Sequence, residues 1–128
     1  MARILVVEDD RQTNEAICEY LRCAEHEVIP AYDGAQALAV IAQKQTDLAV
    51  LDIMIPKVTG IEVLRALRKT SDIPVLMLTA MDDEYTQAKS FDSQADDYIT
   101  KPFSMLLLGK RVTALLRRRK HARRMAKL

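Results

Sequence analysis

The sequence predicts one doubly wound α/β domain with a parallel sheet. Its 128 residues suit a single compact domain. Five short apolar runs alternate with segments of helical periodicity, and three of the runs are continuous stretches of Val, Ile and Leu, as in strands buried on both faces. Because parallel strands need right-handed crossover helices, this alternation places helices on both faces of the sheet.

The strands are predicted from these apolar runs, and the helices from inward-facing residues at helical spacing. The predicted strands are residues 3–7, 28–32, 48–51, 74–78 and 97–100. The inward positions of the first three helices are Asn14, Ile17, Cys18 and Leu21, then Leu38, Ile41 and Ala42, then Gly60, Val63, Leu64 and Leu67. A fourth helix at about 83–91 has few apolar residues. The last helix buries Leu108, Val112, Leu115 and Leu116.

Charge divides the chain into an acidic body and a basic end. Residues 1–100 carry all 18 acidic residues and 9 Lys/Arg, whereas residues 101–128 carry 10 Lys/Arg and no acid. The apolar runs are too short to span a membrane, and no signal peptide precedes the first strand. Cys18 and Cys23 lie five residues apart in a helical pattern, which separates their side chains. We therefore expect reduced thiols in a cytoplasmic protein.

Polar side chains follow four of the predicted strands, at the edge where such sheets bind ligands. Glu8, Asp9 and Asp10 end the first strand, Asp52 the third, Thr79 the fourth and Lys101 the fifth. Clustered carboxylates favour a hard cation such as Mg²⁺ or Mn²⁺. A lysine and a threonine beside such a cation suit a phosphoryl group, and one carboxylate is able to act as its nucleophile. Asp10 is better explained as a helix N-cap.

Four segments of the chain together resemble the receiver domains of response regulators, most closely those of OmpR/PhoB-type transcription factors. They are residues 4–10 (ILVVEDD), residues 51–56 (LDIMIP) with Gly60, residues 78–80 (LTA) and residues 95–103 (ADDYITKPF). The resemblance covers about residues 3–118. It implies a flavodoxin-like (CheY-like) five-stranded sheet in the order 2-1-3-4-5.

The same resemblance implies the roles of the site residues. Asp52 is expected to be the phosphoacceptor, with Thr79 and Lys101 contacting the phosphoryl group. The metal ligands are expected to be Glu8, Asp9, Asp52 and the backbone carbonyl of Met54. Thr79 and Tyr98 are the expected switch residues, and the Lys101–Pro102 peptide bond is expected to be cis. Met54 and Met81 are predicted to have packing side chains that restrict the access of water.

The expected partners are a sensor histidine kinase, which phosphorylates Asp52, and a second copy of the phosphorylated domain. The dimer face of such receivers combines the fourth helix, the fifth strand and the last helix. Asp96 and Asp97, both expected on the fifth strand, match its acids, and Arg111 and Arg118 match its bases. Gln94 and Ser90 replace glycines that are frequent in the family, which predicts a short, shifted or mobile fourth helix.

Residues 1–118 are predicted to form the receiver, and residues 119–128 a basic tail that begins a linker to a DNA-binding domain outside this chain. DNA is then contacted only through that domain. A direct contact of residues 117–124 with nucleic acid phosphates is a third interpretation of the tail, after a basic helix face and dimerisation. The resemblance also implies that the domain modifies itself and is not an enzyme of external substrates. The alternative function is a stand-alone receiver that acts by binding another protein.

Overall fold

The computed structural model describes residues 2–80 and 95–126. Five parallel strands form one sheet in the order β2-β1-β3-β4-β5, as predicted. The strands are β1 (Arg3–Val7), β2 (Glu27–Ala31), β3 (Leu48–Asp52), β4 (Val75–Thr79) and β5 (Asp97–Thr100). The helices are α1 (Arg11–Cys23), α2 (Gly34–Gln43), α3 (Gly60–Arg68) and the C-terminal helix (Met105–Ala126).

The central strands bury alternate residues in two separate cores. On one face, Leu5, Leu51 and Met77 belong to a cluster that includes side chains of α2 and α3. On the other face, the neighbouring strand residues pack with α1 and the C-terminal helix. Both faces of β1, β3 and β4 are therefore covered, which explains why their sequences are continuous apolar runs.

The inward faces of α1, α3 and the C-terminal helix agree with the periodicity of the sequence. In α2 the buried stripe is shifted: Ala37 is fully buried, Val40 and Ile41 pack beside it, and Ala42 is exposed. The prediction of Ala42 as an inward residue was wrong. The apolar residues of this alanine-rich helix leave its register poorly determined by periodicity alone.

The predicted fourth helix at 83–91, together with Met81, Ser90 and Gln94, lies outside the described residues. The C-terminal helix continues to Ala126, so the expected start of the tail at residue 119 lies within a helix. Arg119 is tied to the domain, since its Nη1 donates a hydrogen bond of 2.9 Å to the carbonyl of Asp47. Within residues 2–80 and 95–126, the structure contains no helix with the length and hydropathy of a membrane span.

Candidate acidic site at the carboxyl end of the sheet

The carboxyl ends of β1 and β3 bring three acidic side chains together. Glu8 follows β1 and is fully buried, Asp52 ends β3 with 4% exposure, and Asp9 is exposed at the rim. One carboxylate oxygen from each lies within 4.8 Å of the others. β1 and β3 are adjacent and parallel, so their ends reach the same edge of the sheet. The acids predicted from the sequence therefore form one cluster.

Lys101, which follows β5, places its ammonium between two of these acids. Its Nζ lies 2.6 Å from Glu8 Oε1 and 2.8 Å from Asp52 Oδ2. Burial acts to lower the pKa of Lys101, but the hydrogen bonds and charges of Asp52 and Glu8 outweigh it, so this pKa lies above its ordinary value. The lysine is thus a charged partner of the acid cluster.

Asp9 differs from the other two acids because the ion pairs found within residues 2–80 and 95–126 do not include it. Burial first, and then the hydrogen bond and charge of Glu8, raise the pKa of Asp9 above its ordinary value. A carboxylate in this position gains from an additional positive charge. The three acids have the oxygen donors that small divalent cations prefer, and a small adjustment would bring them within the range of one ion. This cluster is able to bind a metal.

The loop after β3 fixes the second oxygen of Asp52. The backbone N–H of Met54 donates to Asp52 Oδ1 at 3.0 Å. Gly60 allows the loop to return closely, because a Cβ atom at this position would lie 2.3 Å from the Asp52 carbonyl oxygen. The loop is therefore folded tightly against the acid that it follows.

Met54 itself does not pack as predicted. Its side chain is 69% exposed, whereas Ile53 and Ile55 on either side are buried. Ile53 and Ile55 belong to the same core cluster as Leu51, so the alternation of side chains between the two faces continues beyond β3, and Met54 lies on the opposite face, where it is exposed. The prediction that Met54 is a packing residue was wrong, and its side chain stands at the open edge of the site.

Thr79 lies on β4, the strand next to β3, and Tyr98 lies on β5, the strand beyond β4. Thr79 ends β4 and is buried with 5% exposure, and its carbonyl accepts a hydrogen bond of 2.7 Å from the N–H of Lys101. Tyr98 is half-buried in β5 and packs against the core shared with α3. Burial, and then the charge of Asp97, raise the pKa of the Tyr98 phenol. The Lys101–Pro102 bond is cis, as predicted.

Asn14 was missed as a residue of the site. The sequence placed it on the inward face of α1 among apolar residues, and the structure buries it completely. Its Nδ2 donates to the carbonyls of Glu8 at 3.0 Å, Ala31 at 3.1 Å and Val6 at 3.4 Å. It thereby fixes the backbone on which Glu8 stands. An amide on an otherwise apolar helix stripe was the available signal.

Asp10 caps α1 as predicted, accepting from the N–H of Thr13 at 3.1 Å.

The residues expected to form a dimer face are partly joined to one another within the chain. Arg111 Nη1 lies 2.8 and 2.9 Å from the two carboxylate oxygens of Asp97. Asp96 accepts hydrogen bonds of 2.8 Å from Arg68 Nη2 and from the N–H of Val75. Asp96 precedes β5 and is not part of it, and its carboxylate accepts from the N–H of the first residue of β4. Arg118 is exposed.

Comparison with known proteins agrees with the geometry. Residues 4–113 match the response regulator receiver domain family. The chain is 46% identical over 116 residues to the regulatory protein VanRB of Enterococcus faecalis, covering 91% of this chain and 53% of that protein. It is 46% identical over 121 residues to the DNA-binding dual master transcriptional regulator RpaA of Synechocystis sp., covering 92% and 50% respectively. The chain thus spans about half the length of these relatives.

Solved structures show the same architecture. The receiver domain of the Francisella response regulator 1452 superimposes with a TM-score of 0.85 at 34% identity, covering 92% of this chain and 98% of that one. A CheY-like receiver domain protein from Methanospirillum hungatei gives a TM-score of 0.91 at 27% identity, covering 95% and 98%. The predicted fold and the resemblance noted in the sequence are both confirmed.

Proposed function

Because the chain belongs to the receiver domain family of response regulators, we propose that it accepts a phosphoryl group on Asp52 from the phosphohistidine of a sensor histidine kinase. The observation that carries this proposal is the joint position of three acids and Lys101 at one edge of the sheet. A receiver is not a classical enzyme, since it modifies itself and turns over no external metabolite.

In the proposed reaction, a carboxylate oxygen of Asp52 forms a bond to phosphorus while the phosphorus–nitrogen bond of the donor histidine breaks. The imidazole keeps the electron pair of that bond and takes up a proton. Both oxygens of Asp52 are engaged, one by Lys101 at 2.8 Å and the other by the Met54 N–H at 3.0 Å. Lys101 therefore has to move from the carboxylate to the transferred group, where its charge is complementary.

The metal in this proposal is Mg²⁺, with Mn²⁺ as a substitute, held by Glu8, Asp9, Asp52 and the carbonyl of Met54. When bound, Mg²⁺ would supply positive charge that offsets the acids and the phosphoryl oxygens. The Thr79 hydroxyl would bind a phosphoryl oxygen, and Thr79 and Tyr98 would report the switch. Thr79 lies next to Asp52 in the sheet, one residue beyond the Leu78 that pairs with it.

The whole protein, we propose, is a transcription regulator, with a receiver at 1–118 and residues 119–128 leading to a DNA-binding domain. A relative named as a DNA-binding transcriptional regulator, of which this chain covers half, supports this view. The phosphorylated receiver would pair through a face that includes Asp96, Asp97, Arg111 and Arg118. The two free cysteines are consistent with the cytoplasm as its compartment. The alternative remains a stand-alone receiver.

Intact-mass spectrometry after incubation with a small acyl phosphate tests the proposal. We expect one phosphoryl adduct that requires Mg²⁺, is absent from Asp52→Asn and persists in Asp72→Asn, a control at an exposed acid outside the site. The molar mass of the phosphorylated sample, measured by light scattering, should approach that of a dimer. An adduct on Asp52→Asn would show that Asp52 is not the phosphoacceptor. The absence of an adduct on the wild type would contradict the proposed phosphoryl transfer.

A further inference from the structure

A groove of about 700 Å³ lies at the end of the sheet opposite the acidic site. Ala2, His26 and Asp47, which line it, come directly before β1, β2 and β3. In a parallel sheet these positions share the amino edge, whereas Glu8 and Asp52 lie at the carboxyl edge. The C-terminal helix forms the other wall of the groove.

That wall carries mostly positive charge. Arg117, Lys120, Arg123 and Arg124 line the groove and are exposed. The ion pairs found among the described residues include none of these four. We call the groove that these four residues line the basic groove.

The acid on the opposite wall is already engaged. Asp47 lies 3.8 Å from Arg119 through its Oδ1, and it also accepts a hydrogen bond of 2.8 Å from the N–H of Arg3. The field in the groove therefore remains positive, and an anionic partner is complementary to it.

The spacing of the cations fits a repeating anion. From Arg117 to Arg124 the helix rises about 10 Å, a length that covers about three phosphate intervals, and so about four phosphates, along one strand of a DNA duplex. Among the described residues, those that line the groove include no Phe, Tyr or Trp, so they offer no platform on which bases could stack. We propose that the basic groove binds the phosphate backbone of double-stranded DNA without reading its sequence.

This proposal does not depend on phosphorylation of Asp52, because the two regions lie at opposite edges of the sheet. It also differs from DNA contact through a separate domain, since the contact is made by this chain. The acidic body of a second copy is the other anionic partner of this size. Its acids are dispersed from Glu8 to Asp97 with interspersed cations, whereas the phosphates of a duplex repeat at a regular interval.

Fluorescence anisotropy with a labelled 20-base-pair duplex tests the proposal on the 128-residue chain. We expect binding at low salt. The logarithm of the binding constant should fall linearly with the logarithm of the salt concentration, with a slope between about −3 and −4, as four phosphate contacts predict. The triple variant Arg117→Gln/Arg123→Gln/Arg124→Gln should bind at least about tenfold more weakly, with a slope near −1 from Lys120 alone. Two duplexes of unrelated sequence should bind equally.

The matched control is Lys44→Gln/Arg65→Gln/Lys69→Gln, which removes the same charge from exposed positions outside the groove. We expect it to bind DNA like the wild type, and circular dichroism should show that both variants are folded. Equal loss in the two variants, or no binding at low salt, would overturn the proposal. So would equal binding of poly-glutamate, or dimerisation of the free chain that the groove substitutions abolish.

Discussion

At the carboxyl end of the sheet, two buried acids are bonded to one lysine, whereas at the amino end the four cations of the basic groove are exposed and belong to none of the ion pairs found among the described residues. Glu8 and Asp52 share the ammonium of Lys101 within 2.8 Å, while the cations of the basic groove project from a helix into an open space. The first arrangement fixes individual atoms, as a chemical reaction requires. The second provides a field, which is sufficient for a partner that is itself a row of charges.

This difference predicts that the carboxyl end tolerates far less change in shape than the C-terminal helix does. Gly60→Ala should lower the free energy of unfolding by about 3 kcal/mol, because its Cβ would meet the backbone of Asp52 at 2.3 Å and of Ile53 at 2.8 Å. Gly109→Ala is the matched control. Its Cβ would meet the ring of Tyr20 at 2.6 Å, and a side chain is able to move.

For Gly109→Ala we expect a change within about 1 kcal/mol, since the gain in helix propensity of about 1 kcal/mol offsets the shift of the ring. Urea denaturation of the two variants gives the comparison. Similar losses in both would show that the loop after β3 adjusts as easily as a half-buried tyrosine, which is contrary to the tight folding described above.

A smaller effect is expected for Lys101→Met, which leaves the fully buried Glu8 and Asp52 without their cation. We expect a loss of about 2 kcal/mol in the absence of divalent metal, reduced from a fully buried pair by the partial exposure of the lysine. Added Mg²⁺ should raise the melting temperature of this variant more than that of the wild type. Thermal melts with EDTA or Mg²⁺ measure both.

Lys57→Met is its control. Lys57 lies 3.3 Å from Asp33 with a side chain 64% exposed, and screened pairs of this kind contribute little to stability.

The pKa of Lys101 lies above its ordinary value of 10.5. The contribution of Lys101 to stability is therefore complete below pH 10.5 and is lost only as pH rises through the folded-state pKa. A stability loss that appeared near neutral pH would point to another group.

The smallest effect concerns Asp9. Because its pKa is raised above 3.8 in the folded state, the folded state binds this proton more tightly than the unfolded state does. Stability therefore falls as pH rises from about 3.8 through the folded-state pKa. With EDTA at neutral pH, Asp9→Asn should melt at a slightly higher temperature than the wild type, and it should lose most of the stabilisation by Mg²⁺. A lower melting temperature in EDTA would mean that Asp9 has a stabilising partner.

Much of the fold followed from the sequence because β1, β3 and β4 are buried on both faces. Their continuous apolar runs predicted a parallel sheet, and its carboxyl edge then predicted which polar residues meet. Glu8, Asp9, Asp52 and Lys101 are found together for that reason. The roles of these residues in phosphoryl transfer remain predictions.

What the sequence did not predict depends on contacts between distant segments. Asn14 looked like one more position on a helix stripe, and only the folded chain shows three backbone carbonyls around its amide. Met54 was misjudged because its apolar character suggested burial, although the alternation with Ile53 and Ile55 pointed outward. The length of the C-terminal helix was also unforeseen, since its basic residues hide the periodicity that would mark a continuing helix.

The single 22-residue helix Met105–Ala126 is also a rigid rod. It is about 33 Å long and begins four residues after Lys101. A tilt of about 5° at its first turn would displace its far end by about 3 Å, given its length, and would have to break the hydrogen bond between Arg119 and the carbonyl of Asp47. A rearrangement near Lys101 large enough to tilt the helix would therefore produce its largest displacement at the far end, where the basic groove lies.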